Sequence, residues 1–175
     1  QAKKWIEHYF GSIPAGPSPP RVTVTVPEQK ESRTIVVEEK NTPLPALIET
    51  YVTVNQRHPD AYALEFLGSA LSSGQSSRLY QRLVDKDQLA IAAAGFPVSL
   101  DQAGMFAFYS IANQGVSIEQ MRSAIADEIG KIQKDGISED EFQKLRNLKE
   151  AEFIGGLTSL DGKLGSLAYY SLFYN

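Results

Sequence analysis

The 175-residue sequence contains no cysteine and only two histidines, His8 and His58. Without cysteine there can be no disulfide and no thiolate metal site, and the redox compartment leaves no mark on the chain. A catalytic zinc needs three protein ligands at about 2 Å, commonly two histidines one helical turn apart plus a carboxylate. His8 has Ser12 at i+4, and His58 is followed by Pro59 at what reads as a helix entrance. Neither histidine has a partner, so a surface or capping role is the better reading of both. No uninterrupted apolar run approaches the length of a bilayer span. The net charge is −4 and no Lys/Arg run is present, which argues against nucleic acid as the main partner. The N-terminus shows no signal-peptide pattern and no initiator Met, so the chain reads as cut from something longer.

With 42% hydrophobic and 22% charged residues, the chain can bury one core, and one domain is expected. Residues 2–10 place Trp5, Ile6, Tyr9 and Phe10 on one helical face, with Gly11 as the stop. Residues 12–20 are rich in Pro and Gly and read as a semi-rigid linker. The first helix then either belongs to whatever precedes the domain or packs on its own domain. Beyond the linker the period changes. Val22, Val24 and Val26 alternate with threonines, and Thr34-Ile35-Val36-Val37 is β-branched, so both predict strands. A third strand is expected over residues 46–54, its start fixed by Pro43 and Pro45.

A helix should start near Pro59-Asp60 and bury Ala61, Leu64, Leu67 and Leu71. Ser72-Ser73-Gly74 ends it, and Ser76 or Ser77 can cap a second helix running through Leu83. Strands 89–98 and 104–111 fit a hairpin. Ser117-x-x-Gln120 and Ser138-x-x-Glu141 are both capping boxes. The first opens a helix burying Met121, Ile125, Ile129 and Ile132, and the second opens one burying Phe142, Leu145 and Leu148. Ser159 can cap a last helix carrying Leu160, Leu164 and Leu167. The order β-β-β-α-α-β-β-α-α-α lacks βαβ alternation. It favours an α+β domain, an antiparallel sheet with helices on one face.

Gly74-Gln75-Ser76-Ser77-Arg78 superficially resembles a nucleophile elbow, but Arg78 stands where that motif needs Gly, and no histidine base is brought near. A tight turn at Gly74 with a serine cap accounts for it, although a helix start with Ser-Ser-Arg could also hold an anion. Arg78 falls off the centre of the stripe set by Leu79 and Leu83, so its planar fork should meet a carboxylate or the carbonyls at a helix end. The acid pairs Glu38-Glu39, Asp127-Glu128 and Glu139-Asp140-Glu141 read as solvated faces or helix-dipole complements. Tyr169, Tyr170, Phe173 and Tyr174 read as core or interface at helical spacing.

Five pieces in order carry a resemblance: Tyr9-Phe10-Gly11-Ser12-Ile13-Pro14, Pro59-Asp60-Ala61-Tyr62-Ala63-Leu64, Ser76-Ser77-Arg78-Leu79-Tyr80, Asp101-Gln102-Ala103-Gly104-Met105-Phe106 and Gly136-Ile137-Ser138-Glu139-Asp140-Glu141-Phe142. Together the chain resembles the second, non-catalytic half of the pitrilysin/insulinase-type zinc peptidases, of a bacterial type. The motif residues are Gly74, Ser76, Ser77, Arg78, Leu79, Tyr80 and Leu83. The resemblance implies residues 1–11 as the last helix of a preceding half, 12–20 as the linker, and 21–175 as a domain truncated at its C-terminus. It implies one wall of a peptide chamber closed against a homologous half or subunit that carries zinc on H-x-x-E-H, a motif this chain lacks. No zinc, catalytic or metal-binding residue is then expected in this chain. Its partners are that zinc-bearing half and a peptide or unfolded-protein substrate, and a periplasmic address is slightly favoured over a cytoplasmic one. Many active members assist substrate binding with an Arg and a Tyr from this half. The matching positions here are Val84 and Ile91, whose side chains cannot hydrogen-bond a peptide carbonyl or oxyanion. The alternative is a non-enzymatic scaffold subunit of the same superfamily that pairs with an active subunit. An independent α+β ligand-binding module is a third reading.

Overall fold

The computed structural model describes residues 1–20 and 25–174. In chain order they form α1 (Ala2–Phe10), β1 (Ala46–Thr53), α2 (Asp60–Ser72), a π-helical segment (Tyr80–Lys86), β2 (Ala90–Ser99), β3 (Gly104–Ala112), α3 (Ile118–Asp135), α4 (Glu139–Gly156) and α5 (Leu160–Tyr174). The strands make one antiparallel sheet in the order β1-β3-β2, and the fold is α+β. The Ser99–Gly104 connection closes the expected hairpin, held by Leu100 N–H donating to the Ala103 carbonyl at 2.9 Å.

Alternation along the strands gives the sheet two unlike faces. On one, Leu47 and Tyr51 of β1 stand opposite Ser110 and Phe106 of β3, and Gly95 of β2 stands opposite Phe108. This face meets α2, the π-helical segment and α3. Leu71, Leu79, Leu83, Met121 and Ile125 join Leu47, Phe106 and Phe108 in one core cluster. Gly95 is small for a reason: a Cβ there would lie 2.9 Å from Phe108 Cε1 and 3.3 Å from Phe106 Cε1. Ser72 at the end of α2 donates to the Gly95 carbonyl at 2.9 Å, fastening the helix to β2. The opposite face carries Ile48 and Val52 of β1, Met105 of β3 and Phe96 of β2, all exposed.

Several expectations are corrected. Thr34–Val37 forms no strand, and its side chains are exposed. A β-branched run makes a strand only when a ladder partner is available, and none of the described strands supplies one. Of the strand expected over 22–26, residues 22–24 lie outside the described residues, and Thr25 and Val26 are in no strand. The helix α1 forms, and none of its residues is buried. Leu160, Leu164 and Leu167 of α5 are likewise exposed.

The caps divide. Ser117 makes the complete box with Gln120, while Ser138 accepts from Glu141 N–H without the reciprocal bond, because the Glu141 carboxylate is engaged by Arg78. Ser159 accepts from Gly162 N–H at 3.0 Å. The acid runs are not all solvated: Glu128 is buried and paired with Lys131, and Glu141 is half-buried. Desolvating those two carboxylates is tolerable only because each has a cation within reach.

Candidate functional site

The segment from Gly74 to Leu83 is built as a tight turn that launches a helix. Gly74 takes φ +76°, a left-handed backbone that favours glycine. Ser77, one turn on, is buried. Its hydroxyl does not cap the helix but donates to the Gly74 carbonyl at 2.7 Å, closing the turn on itself. Its own carbonyl accepts from Gln81 N–H at 2.9 Å and starts the helical ladder. Ser76 is exposed and does not cap the helix either; its Oγ accepts from Lys144 Nζ at 2.6 Å. The helix begins at Arg78 and widens to a π-helix from Tyr80 to Lys86. Leu79 and Leu83 have no exposed surface, and Tyr80 is half-buried beside them.

Arg78 ties this turn to the last two long helices. Its Nε donates to Glu141 Oε1 at 2.9 Å and its Nη2 to Glu141 Oε2 at 2.6 Å, a bidentate fork–carboxylate pair. The same Nη2 reaches the Gly136 carbonyl, at the end of α3, at 3.4 Å. The hydrogen bond from Arg78 holds the Glu141 carboxyl below the usual carboxylate range, against the opposing effect of its partial burial. The same bond raises Arg78. Glu141 and Lys144 are the partners that the sequence did not disclose. That the Arg78 fork would meet a carboxylate or the carbonyls at a helix end was legible, and it meets both; which carboxylate was not, because Ser138-x-x-Glu141 reads as a capping box and hides the longer-range use of the same group.

Shallow open depressions flank the turn on both sides. One, of about 330 Å³, is lined by Ser69, Ala70, Ser76, Asp140, Glu141, Lys144 and Leu145. The other, of about 300 Å³, mixes Arg78, Arg82, Lys86 and Lys131 with the buried Glu128. Arg82 pairs with Asp87 at 3.0 Å and Lys131 with Glu128, so the cations there are largely matched.

Val84 is half-buried at the end of the π-helical segment. Ile91 is the extra residue at a β-bulge, where Ala90 and Ala92 pair with the consecutive residues Ala112 and Ile111. It is exposed, and its side chain brings no polar atom.

The residues present do not fit zinc. Among the described residues no three His, Cys, Asp or Glu side chains converge. His58 Nδ1 accepts the Asp60 N–H at 3.2 Å at the start of α2, and His8 stands exposed on α1. Among the described residues no helix is long and apolar enough to cross a membrane.

The sequence profile described as the peptidase M16 inactive domain matches residues 1–149. The chain belongs to this M16 inactive-domain family. It is 32% identical over 144 residues to the zinc protease PqqE of Helicobacter pylori, spanning 82% of this chain and 32% of that protein. It is 25% identical over 164 residues to the uncharacterized zinc protease YmxG of Bacillus subtilis, spanning 92% of this chain and 38% of that one. The chain therefore spans only about a third of the length of the curated relatives it matches. The crystal structure of a protease from H. pylori superposes with TM-score 0.90 at 27% identity, over 99% of this chain and 42% of that one. An inactive peptidase domain from Bordetella parapertussis shares the fold at TM-score 0.66 and 19% identity, over 75% of this chain and 72% of that one. Within the M16 inactive domain, the Gly74–Leu83 turn is thus a junction of α2, α3 and α4 with its polar groups already bonded.

Proposed function

We propose that this M16 inactive domain forms one wall of a peptide chamber in a zinc metalloendopeptidase, closed against a zinc-bearing half outside this chain. The observation that carries the reading is the asymmetry of the sheet. The helices α2 and α3 cover one face, while Ile48, Val52, Phe96 and Met105 stand exposed on the other. A sheet face of that composition is suited to extended peptide, offering apolar contacts at strand spacing. In this reading the domain contributes no acid, base or metal ligand. Its work is to hold substrate beside chemistry done elsewhere.

The test uses the full-length parent protein. Phe96→Asp on the open face should lower kcat/KM for peptides several-fold, mainly through KM, with zinc content unchanged. An unaltered kcat/KM across a panel of peptides with apolar side chains would overturn the reading. A second reading, a non-enzymatic scaffold subunit, is favoured by Val84 and Ile91, which offer a substrate no hydrogen bond from the side chain. A parent protein that contains an H-x-x-E-H half and hydrolyses peptide would exclude it.

A further inference from the structure

The face of the sheet that the helices leave open carries no charge. The pairing register lays four ranks of three residues across it, from Val52, Met105 and Val98 at the hairpin end to Ala46, Ile111 and Ala92 at the other. None of those positions is Asp, Glu, Lys, Arg or His, although 22% of the chain is charged. An antiparallel sheet face left to solvent ordinarily alternates to polar residues, and this one does not. The helix-covered face, by contrast, does hold a charge. Glu49 of β1 lies there with Arg122 of α3, whose Nε donates to Glu49 Oε1 at 2.8 Å. The open ranks offer no cation or carboxylate of that kind. In the turn beyond their hairpin end, Asp101 is already paired with Arg57 at 2.6 Å.

The size of the face bears on what can cover it. The 8 residues of β1 run about 26 Å at about 3.3 Å each, and three strands about 4.8 Å apart span about 14 Å. That is a footprint of roughly 350 Å², less than half of the roughly 800 Å² that each partner gives to a standard protein–protein interface. It falls instead within the roughly 300–600 Å² of the functional patches found on single proteins. A second copy or a permanently docked domain is too large an occupant for it. One extended peptide segment of about seven or eight residues matches its length. At the centre of the face one rank runs Thr50, Ala107, Phe96, with Ala107 buried and Thr50 and Phe96 exposed.

We propose that this face selects substrate by charge: it accepts an extended peptide segment whose side chains are apolar or neutral, and rejects a charged side chain of either sign. The inference rests on the reading of the domain as a chamber wall and adds the substrate class. A carboxylate or ammonium group pressed against these ranks loses hydration and finds no partner, a far larger loss than that of an amide of similar size. The selection is exercised against the wrong segment and not through a specific contact with the right one.

A cleavage series on the full-length parent tests it. The probe is an internally quenched peptide of alternating alanine and valine, with Asp, Asn, Lys or Gln placed at each position in turn. Over a contiguous stretch of positions, Asp should lower kcat/KM about ten-fold or more relative to Asn, and Lys likewise relative to Gln. Thr50→Lys puts one cation at the centre of the face. It should bring the Asp peptides to within about three-fold of the Asn peptides and deepen the penalty on Lys. Equal cleavage of Asp and Asn peptides, a penalty on one sign only, or a neutral host peptide left uncut would overturn the proposal. So would a two-sided penalty that Thr50→Lys leaves unmoved, because the selection would then reside elsewhere. These failures leave the chamber-wall reading standing where Phe96→Asp still lowers kcat/KM; an unaltered kcat/KM in Phe96→Asp overturns both. Other occupants would show themselves in the same variant. A parent dimer that Thr50→Lys dissociates in sedimentation would put a second copy on the face. A melting temperature of the parent lowered by Thr50→Lys would put a permanently packed domain there, and either result overturns the proposal.

Discussion

The Arg78–Glu141 pair makes a sharp prediction because its geometry and its surroundings point to different magnitudes. Exposed ion pairs contribute about 0–1 kcal/mol, whereas breaking a buried one costs about 3–5 kcal/mol. Here the side chains retain 23% and 22% of their exposure, so the pair sits between these limits. Two features push it upward: the bidentate contact at 2.9 and 2.6 Å, and the extra reach of Arg78 to the Gly136 carbonyl. Arg78→Ala also leaves Glu141 half-buried with its strongest partner gone, although Ser138 keeps its bond to the Glu141 N–H. We expect Arg78→Ala to cost about 1–3 kcal/mol at pH 7, with a coupling to Glu141→Gln of about 1 kcal/mol or more in a double-mutant cycle. Arg78 stays charged throughout the accessible range, so pH dependence falls on Glu141. Its folded pKa is depressed below the ordinary glutamate value of about 4.3. Its contribution is therefore complete above that value and is lost as pH falls through the folded one. In urea denaturation the gap between wild type and Glu141→Gln should be constant from pH 7 to 5 and close below pH 4. A coupling near zero, or a gap that persists undiminished at low pH, would refute the assignment of this pair as the clamp between the turn and α4.

Two further outcomes follow from the same region. Leu83→Ala removes a side chain with no exposed surface from the central cluster and should cost about 2–5 kcal/mol, read by chemical denaturation; a near-neutral result would mean that the π-helical segment faces solvent. The 175-residue chain should take up no zinc at sub-micromolar affinity, since no three candidate ligands converge among the described residues; stoichiometric calorimetric binding that His58→Ala abolishes would show that a site had been missed.

What the sequence disclosed follows the range of the interactions. Local chemistry was legible: the Ser117 and Ser159 caps, the left-handed turn at Gly74, the paired strands 90–99 and 104–112, and the buried positions of Leu79 and Leu83 are set by neighbours within a few residues. Longer-range choices were not. Thr34–Val37 has strand composition, but pairing needs a partner that composition does not name. Glu141 reads as a cap because Ser138 lies three residues before it, and nothing local reveals a guanidinium 63 residues upstream. Glu128 reads as a solvated acid, yet the packing of α3 buries it; its partner Lys131, three residues on in the same helix, is local, and the burial is not. The continuation of the helix to Lys86 in π form was equally unmarked.

The Gly74–Leu83 turn carries one of the five pieces of the family resemblance, and its polar groups are already committed. The Arg78 fork is occupied by Glu141, the Ser77 hydroxyl by the Gly74 carbonyl, and Ser76 Oγ by Lys144. A ligand at this turn would have to displace bonds that fix α4 against α2 and the core. Its benefit would then be offset by loosening the very elements that present it, since a desolvated pair losing one partner costs more than the new contact returns. The side chains of Val84, just past the turn, and of Ile91, at the bulge in β2, offer no hydrogen bond in exchange. On the proposed reading recognition falls instead to the sheet face, where Ile48, Val52, Phe96 and Met105 stand exposed. The turn's own work is architectural: its bonds to Glu141, Gly136 and Lys144 hold the start of α4 and the end of α3 against the segment that carries Leu79 and Leu83 into the core.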